Sequence, residues 1–546
     1  NPYKLENYHQ KKNYKKKMMR YFTITVKTVT GYFKETKLYK YYSGDIIFPR
    51  FGIFYYCKLN GINMVYDNNI RKGESPKIKF KWTGSYRDNQ PIIAKYIIEN
   101  YYSEKNVKLG NAGVNVNLEA GQGKSFLAMG LVEHNQKKTI IVTHNRTILN
   151  QWYDILRKAF PKNIIGKYYG LEKSDGDIIV CIINSINTDQ FYFTKKYKFI
   201  NGKLKSTKIK NISIISKNDF FDMFGFVIFD ESHEFCSKER SSIFTSIQSQ
   251  YMLGLSATPD ERSDKLDKII DWNLGPTLNC SEIEGYSVDN IPFKSRVTMV
   301  KYKAPPRYSN IIVSEKLETV SVPQMISQFC SDPYRSFLIV LKILELLKKK
   351  HNIFIFADRR QYLEDLRCLL QLLKIKNNII TTDKEYDIEM KKSVRVVGKS
   401  KDSEVKNAEN NADVILTTYQ FMGTGKSIPK MDAVILSTPR KSKIKQYIGR
   451  IFRLGSNYNI ERHIVDIVDW STPLKNQWYT RKKLYKYKEF PIYEEVISYK
   501  DIEEQMKSID YKIGDSLSGY NSLSSYKSNN INNRKDDDNI SDIGIE

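Results

Sequence analysis

Short apolar runs typical of buried strands alternate with helical segments along most of this chain. The pattern appears first between about residues 76 and 280, in TIIVT, DIIVCII, FGFVIFD and YMLGLSAT. It returns between about 286 and 490, in NIFIFADRR, ADVILTTY, MDAVILSTP and RHIVDIVD. Strands that alternate with helices form parallel sheets, because each crossover helix packs on a sheet face. The sequence therefore predicts an α/β fold with two tandem lobes, 76–285 and 286–490.

The segments that flank the two lobes have a different composition. Residues 1–75 begin with the basic run KKNYKKKMMR and continue with β-branched and aromatic runs such as YFTITVKTVTGYF, which predict a small basic β-rich domain. Residues 491–546 form a C-terminal extension. From about residue 514 this extension is rich in Ser, Asn and Asp and poor in large apolar groups, so we expect it to be disordered.

The overall charge favours a polyanionic partner. The chain has 88 Lys and Arg against 61 Asp and Glu, a net charge of +27 and a pI of about 9.4. Binding to phosphates releases condensed counterions, so this excess predicts nucleic acid as the partner, although general solubility is the alternative explanation.

Two other classes of protein are disfavoured. No apolar run approaches the ~20 residues that span a bilayer, so we expect a soluble protein. The 6 cysteines never form a CxxC pair, which argues against zinc and iron–sulfur sites. Reduced thiols in an intracellular protein are the expected state.

A glycine-rich turn lies between a strand-like stretch and an apolar helix, in the segment LEAGQGKS. The backbone N–H groups of such a turn can cradle phosphates, while the lysine reaches the β and γ oxygens and the serine hydroxyl reaches Mg²⁺. The alternative is a strand-to-helix turn without a ligand. The candidate nucleotide-binding residues are Gly121, Gln122, Gly123, Lys124 and Ser125.

Two adjacent acids end the apolar run VIFDE. A buried strand would deliver them to a fixed point, where Asp230 can hold Mg²⁺ and Glu231 can orient and deprotonate the attacking water. Exposed acids on a turn are the alternative. The preceding apolar residues favour the catalytic interpretation.

Together, AGQGKS, DESH and SATP resemble motifs I, II and III of superfamily 2 helicases, in the same order and spacing. The resemblance implies two RecA-like lobes that hydrolyse ATP with Mg²⁺. The segment YRDNQ resembles the family's adenine-reading segment and makes Gln90 its candidate, with a surface glutamine as the alternative. The residues implied to couple ATP to nucleic acid are His233, Ser256 and Thr258.

Two further segments resemble nucleic-acid-contacting motifs of the family. IIVTHNRTILNQW resembles motif Ia and makes Thr143, His144 and Arg146 candidate contacts, with helix capping as the alternative. TTYQFMGTGKS contains a second GKS, but its place after DESH resembles motif V rather than a phosphate loop. Thr418 and Lys426 are the contacts implied there.

The segment QYIGRIFR carries the most specific resemblance, to motif VI. Gln446, Gly449, Arg450 and Arg453 fall at Q-x-x-G-R-x-x-R. On a continuous helix, 446, 450 and 453 would share a face. The resemblance implies catalytic roles for Gln446 and for two arginine fingers that act on the γ-phosphate. A basic solvated helix is the alternative.

Within the superfamily, IIFPRFG, LGLSATPDERSDKLDKII and IVDIVD look most like large-DNA-virus helicases of the poxvirus transcript-release type and like XPB-like helicases. This resemblance implies a monomeric helicase or translocase that acts on DNA, with RNA as the alternative, in viral-type transcription, repair or replication. It also implies transcription machinery as a partner, and the cytoplasm or the virion as the location. Two rival functions stay open. One is an ATPase switch that remodels a polymerase without strand separation, and the other is a metal nuclease built on Asp387 and DSEVK.

Overall fold

The structure is a computed structural model. The structure describes residues 8–27, 33–42, 45–62, 70–118, 122–200, 203–209, 211–256, 266, 268–286, 293–314, 319–376, 392–397, 400, 402–422, 428, 430–452 and 459–508. The chain divides into a first unit, Asn1–Asn290, and a second unit, Ile291–Glu546. This division lies close to the predicted boundary between the lobes.

The first unit contains helices, one large sheet and several two-stranded sheets. Its α-helices are α1 Tyr8–Tyr21, α2 Arg50–Leu59, α3 Gln90–Asn100, α4 Glu104–Lys108, α5 Lys124–Asn135, α6 Arg146–Ala159, α7 Ile183–Ile186, α8 Lys217–Asp222, α9 Lys238–Ser241 and α10 Lys268–Leu274. Its strands are β1 Thr23–Lys27, β2 Phe33–Lys37, β3 Lys40–Tyr42, β4 Asp45–Ile47, β5 Gly113–Asn117, β6 Thr139–Thr143, β7 Ile165–Tyr169, β8 Glu172–Lys173, β9 Ile178–Ile182, β10 Gln190–Phe191, β11 Lys195–Ile200, β12 Lys203–Lys208, β13 Ile215–Ser216, β14 Phe226–Asp230, β15 Tyr251–Ser256 and β16 Thr277–Asn279.

The second unit has the same layered construction. Its α-helices are α11 Val322–Cys330, α12 Pro333–Lys348, α13 Arg360–Lys376, α14 Asp402–Asn411, α15 Tyr419–Met422, α16 Ile444–Ile448, α17 Asn476–Tyr487 and α18 Tyr499–Ser508. Its strands are β17 Ser295–Lys303, β18 Ile353–Ala357, β19 Ser393–Val396, β20 Val414–Thr418, β21 Ala433–Leu436, β22 Arg462–Asp469 and β23 Ile492–Ser498.

Each unit is built on one large parallel sheet, which confirms the predicted α/β fold class. The first sheet has the order β16-β5-β15-β14-β6-β9-β7-β8, and only β8 runs antiparallel to its neighbour. The second has the order β19-β20-β18-β21-β22-β17-β23, with every pair parallel. Strands covered on both faces need apolar side chains on both, which explains the continuous apolar runs of the sequence.

Successive residues of each central strand enter opposite cores. In β6, Ile140 and Val142 pack into the core on one face of the first sheet, and Ile141 packs into the core on the other. In β18, Phe354 and Phe356 lie opposite Ile353 and Ile355 in the same way. The two-residue period of a strand produces this division.

The N-terminal segment packs onto one face of the first sheet. It contains the hairpin-paired strands β1–β2 and β3–β4, and also α1 and α2, which were not predicted. Phe22, Phe51 and Tyr56 belong to the same core as β6 and β14. The buried Arg50 guanidinium donates to the carbonyl of Gly110 at 2.7 Å. This segment therefore shares its core with the first unit.

The C-terminal extension completes the second sheet. β23 pairs with β17, and α18 adds Ile502 and Met506 to the core on one face of that sheet. The tail predicted to be disordered, from about residue 514, lies outside the described residues, which end at Ser508. Within the described ranges, no helix is both long and apolar enough to cross a bilayer. All 6 cysteines are described and are free thiols.

Candidate functional site

Four neighbouring strands of the first sheet end at the predicted motifs. Asn117 of β5 pairs with Ser256 of β15, and Leu255 pairs with Asp230 at the end of β14. Strand β6, beside β14, ends at Thr143. The carboxyl ends of parallel strands meet at one edge, so the loops that follow these residues share one region of the molecule.

The phosphate-loop segment requires a glycine just before helix α5. Gly123 is the N-cap residue and has a φ of 78°, in the left-handed region that favours glycine. A Cβ at this position would lie 2.2 Å from Nε2 of Gln90, so a larger residue would also clash. Lys124 and Ser125 then begin the helix, where backbone N–H groups are free of intrahelical partners. Gly121 lies outside the described residues.

Gln90 contacts the phosphate-loop segment directly. It is the buried first residue of α3, and its Nε2 donates to the carbonyl oxygens of Gln122 at 2.9 Å and of Gly123 at 3.3 Å. Its Oε1 accepts from the Arg87 amide at 3.0 Å. The Gln122 side chain accepts in turn from the Tyr286 hydroxyl at 3.2 Å. In this structure Gln90 therefore supports the backbone of the loop.

The predicted lysine and acids are brought together. Lys124 Nζ lies 2.8 Å from Oε1 of Glu231, and both side chains are largely buried. Asp230 is held from two sides: Nε1 of Trp152 donates to Oδ2 at 2.7 Å, and the Glu231 amide donates to Oδ1 at 3.1 Å. Glu231 itself has a φ of 51°, uncommon for a residue with a side chain, which turns the chain sharply after β14. Trp152 was not predicted as a site residue.

The Asp230 carboxyl has a perturbed affinity for protons. Burial and, to a lesser extent, the neighbouring Glu231 carboxylate raise its pKa to about 6, although Lys124 opposes the shift. Two acids beside one ammonium group, with the Ser125 hydroxyl next in sequence to that lysine, form an oxygen donor set that suits Mg²⁺. The described residues contain no cluster of three or more His, Cys, Asp or Glu that could hold a metal. Mg²⁺ does not need such a cluster, because it is usually bound by one or two carboxylates together with substrate phosphates and water.

Two of the predicted coupling residues are hydrogen-bonded to each other. His233 Nδ1 lies 3.0 Å from the Ser256 hydroxyl and 3.5 Å from Oε2 of Glu231. Its Nε2 lies 3.5 Å from Oε1 of Glu234. A single imidazole thus links the end of β15 to the candidate base. Thr258 lies outside the described residues.

The motif Ia candidates occupy three different environments. Thr143 is fully buried and its hydroxyl donates to the Cys181 carbonyl at 2.9 Å, so this side chain is unavailable to nucleic acid here. Asn145 caps α6 by accepting from the Ile148 amide at 2.9 Å, as the capping alternative anticipated for this loop. Arg146 is exposed.

His144, in the same loop, is half-buried. Burial lowers its pKa, and the charges of Glu234 and Glu231 oppose the shift. Its Nδ1 is buried and has no hydrogen-bond partner among the residues that the structure describes. Its Nε2 lies 2.8 Å from the Asn145 amide nitrogen, so the ring is oriented by the capping residue.

In the second unit, the arginine motif departs from the uniform helix that its spacing predicted. Helix α16 ends at Ile448, and the amides of residues 450–452 donate to carbonyls three residues back. Such bonds form the tighter 3₁₀ turn. Gln446 and Arg450 are both buried, with 8% and 7% of their surface exposed. Arg453 lies outside the described residues.

Of the other candidates in this unit, the structure describes only Thr418 and the DSEVK segment. Thr418 ends β20 and is 8% exposed, so its side chain contributes little surface. Lys426 and the rest of 423–427 lie outside the described residues, as does Asp387 of the nuclease alternative. The DSEVK segment forms the start of α14.

A network that the sequence did not suggest supports the arginine motif. Arg440 Nη1 lies 3.0 Å from Oδ1 of Asp358, which follows β18. The Thr438 hydroxyl donates to the other oxygen of Asp358 at 2.7 Å. The Arg440 side chain also hydrogen-bonds with Tyr447 of α16, and its carbonyl accepts from Arg481 at 2.6 Å. Only the position of Arg440 just after β21 could have indicated this role.

Comparisons with known proteins agree with these motifs. Residues 84–261 match the family model described as "Type III restriction enzyme, res subunit". QP509L of African swine fever virus, named as a proposed ATP-dependent RNA helicase, is 28% identical over 399 residues, which are 70% of each chain. L396 of Acanthamoeba polyphaga mimivirus, named in the same way, is 27% identical over 403 residues, which cover 74% of this chain and 67% of L396.

A poxvirus protein is also similar. Transcript termination protein OPG145 of monkeypox virus is 22% identical over 365 residues, which are 62% of this chain and 63% of OPG145. The predicted relationship to large-DNA-virus helicases is thereby confirmed. The motif order and these relatives show the chain to be a homologue of helicases of large DNA viruses, with motifs that resemble those of superfamily 2.

Proposed function

We propose that this protein is a nucleic-acid-stimulated ATPase that works as a helicase or translocase, with DNA as the favoured substrate. The observation that carries the proposal is the 2.8 Å contact between Lys124 and Glu231. It brings a phosphate-binding lysine to the acids at the end of a buried strand, the arrangement that phosphoryl transfer to water requires. The motor lobes are proposed to be 76–285 and 286–490.

Each residue of the first unit has a distinct part in this proposal. Lys124 binds the β and γ oxygens, and the glycine-rich turn offers backbone N–H groups to them. Ser125 and Asp230 would hold Mg²⁺, which neutralises charge on the phosphates when it is bound. Glu231 orients the attacking water and takes its proton, after Lys124 turns from Glu231 toward the nucleotide. Gln90 would sense adenine while it supports the loop.

Residues of the second unit complete the proposed reaction. Arg450 and Arg453 would stabilise the charge of the transition state, and Gln446 would assist them. Arg440 is a positioning residue, because it acts through Tyr447 and Asp358. His233 and Ser256, with Thr258, would transmit the state of the nucleotide to the nucleic-acid contacts, for which His144, Arg146, Thr418 and Lys426 are the candidates.

The substrate and process rest on the names of relatives. Two of them are named for RNA helicase activity and one for transcript termination. A motor that tracks DNA during viral transcription and acts on a transcribing complex would be compatible with all three names. A strand-displacement assay run beside a translocation assay would separate a helicase from an ATPase switch.

The experiment that tests the ATP site compares the two GKS lysines. We expect Lys124→Ala to abolish ATP turnover and to leave nucleic-acid binding without ATP largely intact, because Lys124 contacts the nucleotide. The matched variant Lys426→Ala should keep substantial hydrolysis. Steady-state ATPase rates and filter binding measure both effects. If Lys426 proves to be the essential lysine, the phosphate-loop assignment is wrong.

A further inference from the structure

A lysine-rich hairpin projects from the edge of the first sheet. Strands β11 and β12 pair antiparallel from Lys195↔Lys208 to Ile200↔Lys203. Residues 195–208 contain 6 lysines and no acid. Residues on paired antiparallel strands alternate between two faces, and Lys195, Tyr197 and Lys208 fall on the same face of the hairpin. Lys195 is half-buried and Lys208 is exposed.

The hairpin adjoins a row of alternating cations and aromatic rings. Lys167 of β7 places Nζ 4.2 Å from the ring centroid of Tyr153 on α6, and Arg157 lies 5.8 Å from the same ring. Tyr197 of the hairpin interacts with the Tyr153 hydroxyl. Lys167 is held in place by a 2.8 Å hydrogen bond to the Asn150 side chain. These side chains are therefore arranged before any ligand binds.

The same row continues to the edge of the sheet that carries the ATP-site motifs. Arg146, at the start of α6, lies 5.3 Å from the ring of Tyr169, the last residue of β7. β6, β9 and β7 are parallel, so Tyr169 ends at the edge where β6 ends. We call this surface the basic track; it consists of Arg146, Tyr153, Arg157, Lys167, Tyr169, Lys195, Tyr197 and Lys208.

Few acids oppose the positive charge of the basic track. Glu172 accepts from the Tyr169 hydroxyl at 3.2 Å, and Asp154 is exposed on α6. Cations that track a phosphate backbone, interleaved with rings on which bases stack, are typical of surfaces that bind single-stranded nucleic acid. An acidic protein segment would need the cations but would gain nothing from base stacking.

We propose that the basic track binds an additional stretch of nucleic-acid backbone, beyond the contacts made by the motif loops. The proposal rests on the proposed function, which it extends with a second contact surface. The 14 residues of α6 span about 20 Å, so the track accommodates a short single-stranded segment. Phosphates contact Lys195, Lys208, Lys167 and Arg157, and bases contact the tyrosines.

The test removes two lysines of the hairpin in the full-length protein. We expect Lys195→Gln/Lys208→Gln to weaken binding of fluorescein-labelled oligothymidylate and oligouridylate about tenfold in anisotropy titrations. The slope of log K against log salt should fall by about 1.4, because each single-strand phosphate contact contributes about 0.7. ATP hydrolysis without nucleic acid should be unchanged, since neither lysine contacts the ATP-site residues.

The matched control removes two exposed lysines outside the track, Lys105→Gln/Lys348→Gln. It changes the net charge equally and should change the slope much less. Tyr197→Ala should weaken single-strand binding about fivefold or more while the salt slope stays the same, because stacking releases no counterions.

Equal affinities and slopes for the two double variants would overturn the proposal. It would also be overturned if Lys195→Gln/Lys208→Gln lost binding to polyglutamate while its nucleic-acid binding stayed intact, which would indicate an acidic protein partner. Neither outcome touches the ATP-site assignment, which the Lys124→Ala comparison tests separately.

Discussion

At the scale of single residues, the acids that end β14 are adjacent in sequence but differ in surroundings. Asp230 is half-buried and is held by the Trp152 indole and a backbone amide, and burial is the main cause that raises its pKa to about 6. Glu231 lies beyond the strand, within 2.8 Å of Lys124 and 3.5 Å of His233. Asp230, which two hydrogen bonds hold in place, suits the role of a metal ligand. Glu231, whose partner Lys124 can turn away, suits the role of a base.

Glu231→Gln should therefore bind ATP but hydrolyse it at least ~10²-fold more slowly, because an amide cannot accept the proton of water. Fluorescent-nucleotide binding and steady-state turnover measure the two effects. Glu234→Gln is the matched control, since Glu234 contacts the same histidine from the other ring nitrogen. Normal turnover in Glu231→Gln would remove this residue as the base.

Trp152→Phe tests the support of Asp230. Phenylalanine keeps an aromatic ring in the core but removes the indole N–H that donates to Oδ2 at 2.7 Å. Partners that orient metal ligands commonly change metal affinity 10- to 100-fold when lost, so we expect the Mg²⁺ concentration for half-maximal ATPase activity to rise by about tenfold or more. Thermal unfolding would control for damage to the core. An unchanged Mg²⁺ response would assign Trp152 to packing alone.

At the scale of elements, the sequence predicted the central strands and missed parts of the periphery. TIIVT, DIIVCII, FGFVIFD and YMLGLSAT all contain strands of the first sheet, because doubly covered strands must be apolar on both faces. Helix α1 was missed because its basic sequence shows no clear apolar face. Its position depends on Met18, and on Phe22 just beyond it, which enter the core of the first sheet.

At the candidate site, too, the sequence predicted some residues and missed others. Motif residues could be predicted because their order and spacing are visible in the chain, but Trp152 and Arg440 could not. Trp152 lies 78 residues from Asp230, and Arg440 lies 82 residues from Asp358. Only folding brings such pairs together. The end of α16 at Ile448 was missed because spacing alone cannot distinguish an α-helical turn from a 3₁₀ turn.

The candidate arginine fingers, Arg450 and Arg453, can be tested by substitution. We expect Arg450→Ala or Arg453→Ala to lower kcat at least ~10²-fold with a modest change in KM, because an arginine finger acts mainly on the transition state. Stimulation by nucleic acid should be lost as well. Steady-state kinetics with saturating nucleic acid give both constants. Arg307→Ala, at an exposed arginine of the same unit, is the control. A change confined to KM would indicate ground-state binding instead.

At the scale of the whole molecule, buried histidines make stability depend on pH. His463 lies in β22, with Nε2 2.8 Å from the Thr298 hydroxyl, and burial lowers its pKa to about 4, assisted by His351. The unfolded chain takes up this proton near pH 6.5 and the folded chain only near pH 4. His463 should therefore destabilise the fold progressively as the pH falls from about 6.5 to 4.

His463→Gln can keep a hydrogen bond to Thr298 but cannot titrate. Its thermal midpoint should fall less steeply than that of the native chain between about pH 6.5 and 4. Differential scanning calorimetry at several pH values measures the difference, and the native chain and the variant should converge in slope above about pH 7. Identical slopes in the acidic range would mean that His463 does not titrate on unfolding.

The strand order of the second sheet has a consequence for folding during protein synthesis. β17, the first strand of that sheet in the chain, lies between β22 and β23, the last two. Its backbone groups find both partners only when residues 462–498 have left the ribosome. In the first unit, β5 acquires its last neighbour, β16, by residue 279. The first sheet can therefore form early during translation. In the second sheet β17 stays unpaired until its partners have been synthesised, and chaperones would protect its open edge during that time.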